Sequence, residues 1–279
     1  MTHRLSITGT TRFWGCIAHP SDHVRAPQLF NADFLEAGED KVMIPIDIAP
    51  ENLANAIEGL RRIENFVGAA VTIPHKMPLA ALCDRLGPGG QATGAVNAVY
   101  FNEARELIGD NFDGEGFVAG LIGENPCGYA KPQDHFTDKK ILIVGAGGAA
   151  RAIAVSVARQ NPASVDIANR TFSRADDAVK TVTELVSGAQ SNAYHSDDIA
   201  WSGYDMVINA TSLGLYPEDS LPVDLDRLTA ECLVCDIIMR PKDTQLLMAA
   251  KQAGFKVHYG HHMLDYQMSL IGQFIKAYD

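Results

Sequence analysis

The chain is predicted to be an α/β protein of two domains, the second built on a parallel sheet, and three observations carry that prediction. Apolar runs of strand length alternate with helical-period segments along its whole length, the pattern of sheets covered by helices. Its 279 residues suffice for two cores of ordinary size. In the second half stands KKILIVGAGGAARAIA, residues 139–154, where a β-branched run meets closely spaced glycines and then an alanine-rich segment.

From the N-terminus, residues 5–8 and 13–18 read as a first strand region broken by a Gly9-Thr10-Thr11 turn, and PQLFNADFLEAG reads as a helix stopped by Gly38. Residues 41–48 are a second strand. Residues 52–63 form a helix with Leu53, Ile57 and Leu60 on one face, and 68–73 are a third strand running into Pro74. A helix is expected over 78–86, closed by the GPGG that follows, and then a hairpin pairing 95–101 with 106–108. Beyond Gly116 come a helical segment over 117–122, a polar loop with Pro126, Gly128 and Pro132, and the strand 141–144. Strands over 165–168, 206–209, 233–238 and 256–259 then alternate with helices over 172–186 and 244–253, which predicts a parallel sheet with right-handed crossovers. The last helix, 263–278, carries Met263, Leu264, Gln267, Leu270, Ile271 and Phe274 along one side.

The glycines explain the central stretch. Gly145, Gly147 and Ala150 fill the G-x-G-x-x-A frame between a strand and a helix. Gly145 permits the tight turn, Gly147 lets backbone approach a pyrophosphate, and Ala150 allows close helix–strand packing, while the helix N-terminus offers N–H donors and positive potential to phosphates. The next strand ends without the carboxylate that takes ribose hydroxyls in NAD sites. It reads Ala168-Asn169-Arg170-Thr171, with Arg174 three residues on, so two guanidiniums face the 2′-phosphate of NADP.

Composition excludes other classes. With 34 acidic and 23 basic residues the formal net charge is −11, which repels nucleic acid and anionic membrane surfaces. No apolar run approaches the roughly 18 residues of a membrane span, and MTHRLSITGTTRFWG lacks a signal-peptide core, so a cytoplasmic location is expected. Cys232 and Cys235 lie in ECLVCDIIM and read as buried structural thiols; His19 and His23, and His261 and His262, lack a third ligand nearby, so no metal is expected.

Seven stretches in order then resemble the shikimate dehydrogenase family and cover nearly the whole chain. GAGGAARA and NRTFSR resemble its NADP-binding loops, VTIPHK its catalytic lysine loop, GAVNAV and GDNFDGEG its substrate-contacting segments, INATSLG the segment under the nicotinamide, and GHHMLDYQ the stretch that sends a glutamine to substrate. The resemblance implies a substrate domain over 1–112 with 260–279, a Rossmann NADP-binding domain over 113–259, and an active site in the cleft between them. It implies reversible hydride transfer between NADP and a ring hydroxyl of shikimate. Lys76 is then the acid–base group and Asp113 its partner; Ser21, His23, Thr72, Asn97 and Gln267 contact substrate. Gly145, Gly147, Gly148, Ala149, Ala150, Asn169, Arg170, Thr171, Arg174, Thr211, Ser212 and Gly260 hold the cofactor. The expected partner is a small hydroxylated ring carboxylate, with no nucleic acid and no membrane, on a monomer or homodimer.

The departures cluster where substrate should sit. The family loop reading like GNPIAHSKSPFIHQLF aligns without a gap on GCIAHPSDHVRAPQLF: the first of two carboxylate-holding serines is Ser21, the second is His23, and the family's histidine and proline become Pro20 and Val24. Ser21 and His23 are expected to share an anionic group. Ala70, Phe112 and Met239 replace the family's asparagine, threonine and tyrosine. The substrate is therefore shikimate or a related ring carboxylate such as quinate or aminoshikimate. The competing class is a noncatalytic NADP(H)-sensing protein, which would have no use for Lys76 and Asp113 together.

Overall fold

The computed structural model describes residues 6–22 and 24–278. They divide into two compact units, Met1–Phe112 with Met268–Asp279 and Asp113–Gln267. The change of unit falls inside the last helix, between Gln267 and Met268, whereas the sequence reading put it at Gly260.

In the first unit β1 (Arg12–Ala18), α1 (Ala26–Ala37), β2 (Lys41–Asp47), α2 (Leu53–Leu60) and β3 (Phe66–Val71) follow the expected order. Gly38 caps α1 in the left-handed region at φ 68°. Residues 6–8 form no strand, and Leu5 lies outside the described residues. Then come α3 (Lys76–Ala80), β4 (Arg85–Leu86), α4 (Pro88–Thr93), β5 (Ala98–Phe101) and β6 (Leu107–Asp110). The helix expected over 78–86 is thus wrong. Pro88 opens a helix instead of closing one. Asp84 accepts the Leu107 N–H at 2.6 Å, and this draws Arg85 into parallel register with Ile108.

The sheet order is β2-β1-β3-β5-β6-β4, with β1, β2 and β3 parallel and β5 antiparallel to both its neighbours. Alternation along β1 sends Ile17 to a core with Leu53, Ile57, Phe66 and Leu79, and Trp14 to one with Phe30, Phe34 and Met43. Ile271 and Ile275 join that second core, and the Trp14 indole N–H donates to the Ile275 carbonyl at 2.8 Å. Apolar burial on the Trp14 face therefore recruits the end of the chain to its beginning.

The second unit runs through α5 (Asp113–Glu124), β7 (Lys140–Val144), α6 (Gly148–Ala158), β8 (Ser164–Asn169), α7 (Phe172–Leu185), β9 (Ala193–His195), β10 (Met206–Asn209), β11 (Leu233–Asp236), α8 (Gln245–Gln252), β12 (Lys256–Tyr259) and α9 (Gly260–Phe274). Its sheet is parallel throughout, in the order β12-β11-β10-β7-β8-β9. That is the doubly wound order of dinucleotide-binding sheets. Ile141 to Val144 are buried on both faces, as a central parallel strand requires. The short edge strand β9 was not expected, because its AYH shows no apolar run. Cys232 and Cys235 are buried free thiols, as read from the sequence.

His258, on β12, is 2% exposed, with Phe117 edge-on at 5.6 Å and His262 stacked at 5.3 Å. Burial pushes its imidazole down to about 3. A folded pKa below the unfolded value of about 6.5 means that protons favour the unfolded chain, so its contribution is complete above pH ~6.5 and is lost as pH falls, at about 1.4 kcal/mol per pH unit. Urea unfolding of the unmodified chain and His258→Leu is expected to show a stability difference that shrinks by about 2 kcal/mol between pH ~6.5 and ~5. A difference independent of pH would refute the buried neutral imidazole.

Candidate active site

Loops at the carboxyl ends of β1 and β3 carry the first unit's candidate residues. The Thr72 N–H donates to the Ile17 carbonyl at 3.0 Å and the His19 N–H to the Ile73 carbonyl at 3.3 Å, lacing the two loops together. Ser21 is anchored through its backbone, which donates to Asp47 Oδ2 at 2.9 Å, while His19 Nδ1 bonds Asp47 Oδ1 at 2.8 Å. The His19 and Ser21 bonds hold the Asp47 carboxyl below the usual range. His23 lies outside the described residues.

Lys76 is half-buried at the start of α3, and its carbonyl accepts the Val96 N–H at 2.9 Å. The next residue, Asn97, is 3% exposed. Its backbone accepts from Val71 at 2.8 Å and donates to Asp110 at 2.9 Å, and its Oδ1 accepts the Phe112 N–H at 3.0 Å, which fixes the amide's orientation. Thr72, Lys76 and Asn97 thus lie on adjoining segments with the Ser21 loop beside them. Two of the departures are core residues: Ala70 is buried on β3, and Phe112 packs on Phe274 with ring centroids 5.1 Å apart.

In the second unit Asp113 is the first residue of α5. Gln267 Nε2 donates to Asp113 Oδ1 at 2.6 Å, and both side chains are buried. Gly116 makes this possible, since a Cβ there would lie 2.7 Å from the Met263 carbonyl and 2.9 Å from Gln267 Cβ.

Beyond the carboxyl ends of β7, β8 and β10 opens a cavity of about 690 Å³. Its lining includes Gly145, Gly147, Asn169, Arg170, Thr171, Arg174, Thr211 and Ser212. Two glycines do different jobs. Gly145 has φ 117°, and a Cβ would lie 2.6 Å from the Ala210 carbonyl, so the fold itself demands glycine. At Gly147 and Gly148 a Cβ would meet nothing within 4 Å. The fold does not need glycine there, but a phosphate against the uncapped N-terminus of α6 would. Gly145→Ala is accordingly expected to lower Tm by about 5–10 °C, from ~2–3 kcal/mol of strain and clash. Gly147→Ala is expected to leave Tm nearly unchanged and weaken dinucleotide binding. Thermal melts and titration calorimetry on both variants check the pair.

Ala150 is buried under β7, Ala149 is half-buried, and Asn169 Nδ2 donates to the Thr171 carbonyl at 3.0 Å, shaping the turn that carries Arg170. Arg170 and Arg174 are exposed, and neither has a carboxylate at ion-pair distance among the described residues. Asp197 and Asp224 line the same cavity. Gly260 opens α9 against the backbone of Ile237 and Ile238, so close approach already accounts for its missing side chain.

Three features went unread in the sequence. Asp47 holds the Ser21 loop. A buried polar set, Asn209, Asp236 and Thr244, stands behind the cavity; polar residues ending the apolar runs MVIN and LVCD were the available signal. The third ligand that the sequence reading found missing beside His261 and His262 is Asp265: one ring nitrogen of each histidine and a carboxylate oxygen lie within 4.8 Å of one another.

Comparison with known proteins bears on the whole chain. Residues 16–99 match the family model described as the shikimate dehydrogenase substrate binding domain, and residues 129–216 match that for shikimate / quinate 5-dehydrogenase. A Rubrobacter xylanophilus protein named shikimate dehydrogenase (NADP(+)) is 37% identical, covering 94% of this chain and 89% of its own. A crystal structure of a shikimate dehydrogenase in complex with NADP+ superposes with a TM-score of 0.81 at 33% identity, over 98% of this chain and 93% of that one. A ligand-free 5-ketofructose reductase from Gluconobacter gives a TM-score of 0.80 at 32% identity, over 95% and 92%.

Proposed function

This chain belongs to the shikimate dehydrogenase family, and we propose that it is an NADP-dependent oxidoreductase that transfers hydride reversibly between NADP and a ring hydroxyl of shikimate or a related hydroxylated ring carboxylate. One observation carries the cofactor half: Gly147, where the fold does not require glycine, faces open space at the start of α6 in a cavity also lined by Arg170 and Arg174, which have no carboxylate at ion-pair distance among the described residues. The first unit, with Gln267, is assigned to substrate and the second to NADP. A cytoplasmic location accords with free, unpaired cysteines.

Oxidising a ring carbinol removes a hydride from carbon and a proton from oxygen. NADP, when bound, supplies the hydride acceptor. Lys76 is assigned to the oxygen, where it takes that proton in one direction and returns it in the other. Asp113 is the second catalytic residue, held by Gln267, whose amide is thereby oriented for a substrate hydroxyl. Ser21 and Asn97 supply further polar contacts, and Thr72 adds a hydroxyl beside Lys76. A noncatalytic sensor would have no use for this acid–base equipment.

A second reading has its own support. The likeness to a 5-ketofructose reductase favours a polyhydroxy ketone as the substrate to be reduced. The test is a spectrophotometric screen of NADPH formation with shikimate, quinate and aminoshikimate, and of NADPH consumption with 5-ketofructose. Turnover of a ring carboxylate supports the main reading, turnover of 5-ketofructose alone the second, and tight NADP binding with no turnover the sensor.

A further inference from the structure

Asp236 ends β11 with 0% exposure. Its carboxylate accepts three hydrogen bonds: Oδ1 from Asn209 Nδ2 at 3.1 Å and from the Ile238 N–H at 3.0 Å, and Oδ2 from the Thr244 hydroxyl at 2.7 Å. The Thr244 hydroxyl in turn caps α8 by accepting from Leu247 N at 3.3 Å. Asn209, also fully buried, faces both ways. Its Nδ2 donates to Asp236 and to the Leu213 carbonyl at 3.1 Å, and its Oδ1 accepts from the Thr211 N–H at 3.0 Å and the Thr211 hydroxyl at 2.7 Å. The Thr211 hydroxyl accepts from Leu213 N at 3.0 Å. The chain of bonds thus runs from a carboxylate behind the sheet to Thr211, Ser212 and Leu213, which line the nucleotide cavity.

An amide has two ends of similar shape, and only its partners decide which end points where. Asp236 offers acceptors alone toward Asn209, so the amide must turn its NH₂ to the carboxylate and its oxygen to Thr211. Reversed, the amide would set oxygen against carboxylate and NH₂ against the Thr211 N–H. Burial raises the Asp236 carboxyl above the usual range, while the Ile238 N–H, Thr244 and Asn209 bonds pull the other way. A bare apolar strand end would avoid that desolvation altogether, so the group serves geometry.

We propose that Asp236 is a positioning residue for the nucleotide site: acting through Asn209, it holds the Thr211–Leu213 loop in the shape that receives NADP. The proposal rests on the NADP reading above and extends it to a side chain that does not line the cavity. The loop's conformation should therefore answer to Asp236 more than to the general stability of β11.

The test measures calorimetric NADP affinity and Tm for the substrate-free protein and four variants, all at a temperature where each is folded. Asp236→Ala is expected to weaken NADP binding by about 10–100-fold, the effect of leaving buried partners unmatched. Val234→Ala, which opens a cavity in the same strand, lowers Tm and leaves affinity within about 3-fold. Should Asp236→Ala not fold, the pair is altered singly: Asn209→Asp sets two carboxylates face to face and weakens binding by about 10–100-fold, whereas Asp236→Asn, whose Oδ1 can still accept from Asn209 and the Ile238 N–H with its NH₂ turned to the Thr244 hydroxyl, stays within about 3-fold. Equal affinity losses in Asp236→Ala and Val234→Ala, or Asn209→Asp binding no more weakly than Asp236→Asn, overturn the proposal. If the unmodified chain fails to bind NADP, the cofactor reading itself falls; if it binds well and Asp236→Ala binds equally well, only the positioning role does.

Discussion

Replacing Lys76 by alanine is expected to cut turnover of the best substrate by about 10²–10⁴-fold, the range for losing one acid–base group. NADP affinity should stay within a factor of about two, because the cavity proposed for the dinucleotide has no lining residue from α3. The loop should survive truncation. Lys76 contributes its backbone carbonyl to Val96 and its neighbour His75 is anchored by Nε2 to the Ile48 carbonyl at 2.8 Å, and neither bond needs the amine. Lys76→Arg separates charge from proton transfer, since a guanidinium does not give up its proton in a protein. Both variants are therefore expected to fail in turnover, and only Ala to lose the positive charge. Pre-steady-state rates with saturating cofactor, together with a cofactor titration, make the measurement. Unchanged turnover in Lys76→Ala would remove the lysine from the mechanism.

What the sequence disclosed followed from how local each signal was. The frame around Gly145 and Gly147 combines a strand, a turn and a helix N-terminus within sixteen residues, so its geometry is written in the chain itself; the strand, cap and helix appear where residues 139–154 predicted them. Segments governed by distant partners were opaque. Arg85 and Leu86 are a strand only because Asp84 reaches Leu107, and no pattern within residues 78–86 announces a bond to a residue beyond the next helix. Periodicity alone favoured one continuous helix there. The relay behind the cavity was hidden differently. Asn209 and Asp236 each look like an ordinary end of an apolar strand, and only the side-by-side register of β10 and β11 makes them neighbours. Asp47 is the same case: it matters because β2 and β1 run parallel and finish together, Ala18 beside Asp47. Chemistry carried by one loop was legible; chemistry assembled from two strand ends was not.

Substituting alanine for both Arg170 and Arg174 is expected to weaken NADP binding by about 10²-fold and NAD binding by no more than about 3-fold, because only NADP carries the 2′-phosphate that we propose those guanidiniums meet. Arg170 follows the end of β8, and Arg174 lies in the first turn of α7, its N–H donating to the Thr171 carbonyl at 3.0 Å. Each charge-assisted bond is worth about 1.5–3 kcal/mol when sheltered, yet both side chains are exposed, so solvent screening brings the sum to about 3 kcal/mol. A further term works in the same direction. Asp197 and Asp224 share the cavity lining, and with both arginines gone the wall facing a dianionic phosphate would carry carboxylates alone. Repulsion then adds to the lost bonds. Because both attraction and repulsion are screened over about 8–10 Å at ordinary ionic strength, raising salt should narrow the NADP preference of the unmodified chain and, by screening the two carboxylates, modestly strengthen NADP binding in the double variant, so that the two converge. Arg→Lys at both positions should recover only part of the preference, since an ammonium cannot engage a phosphate in two parallel bonds. Calorimetric affinities for NADP and NAD at two salt concentrations settle the matter: equal affinity of the unmodified chain for the two cofactors, or equal weakening of both in the double variant, would take the arginines out of cofactor choice.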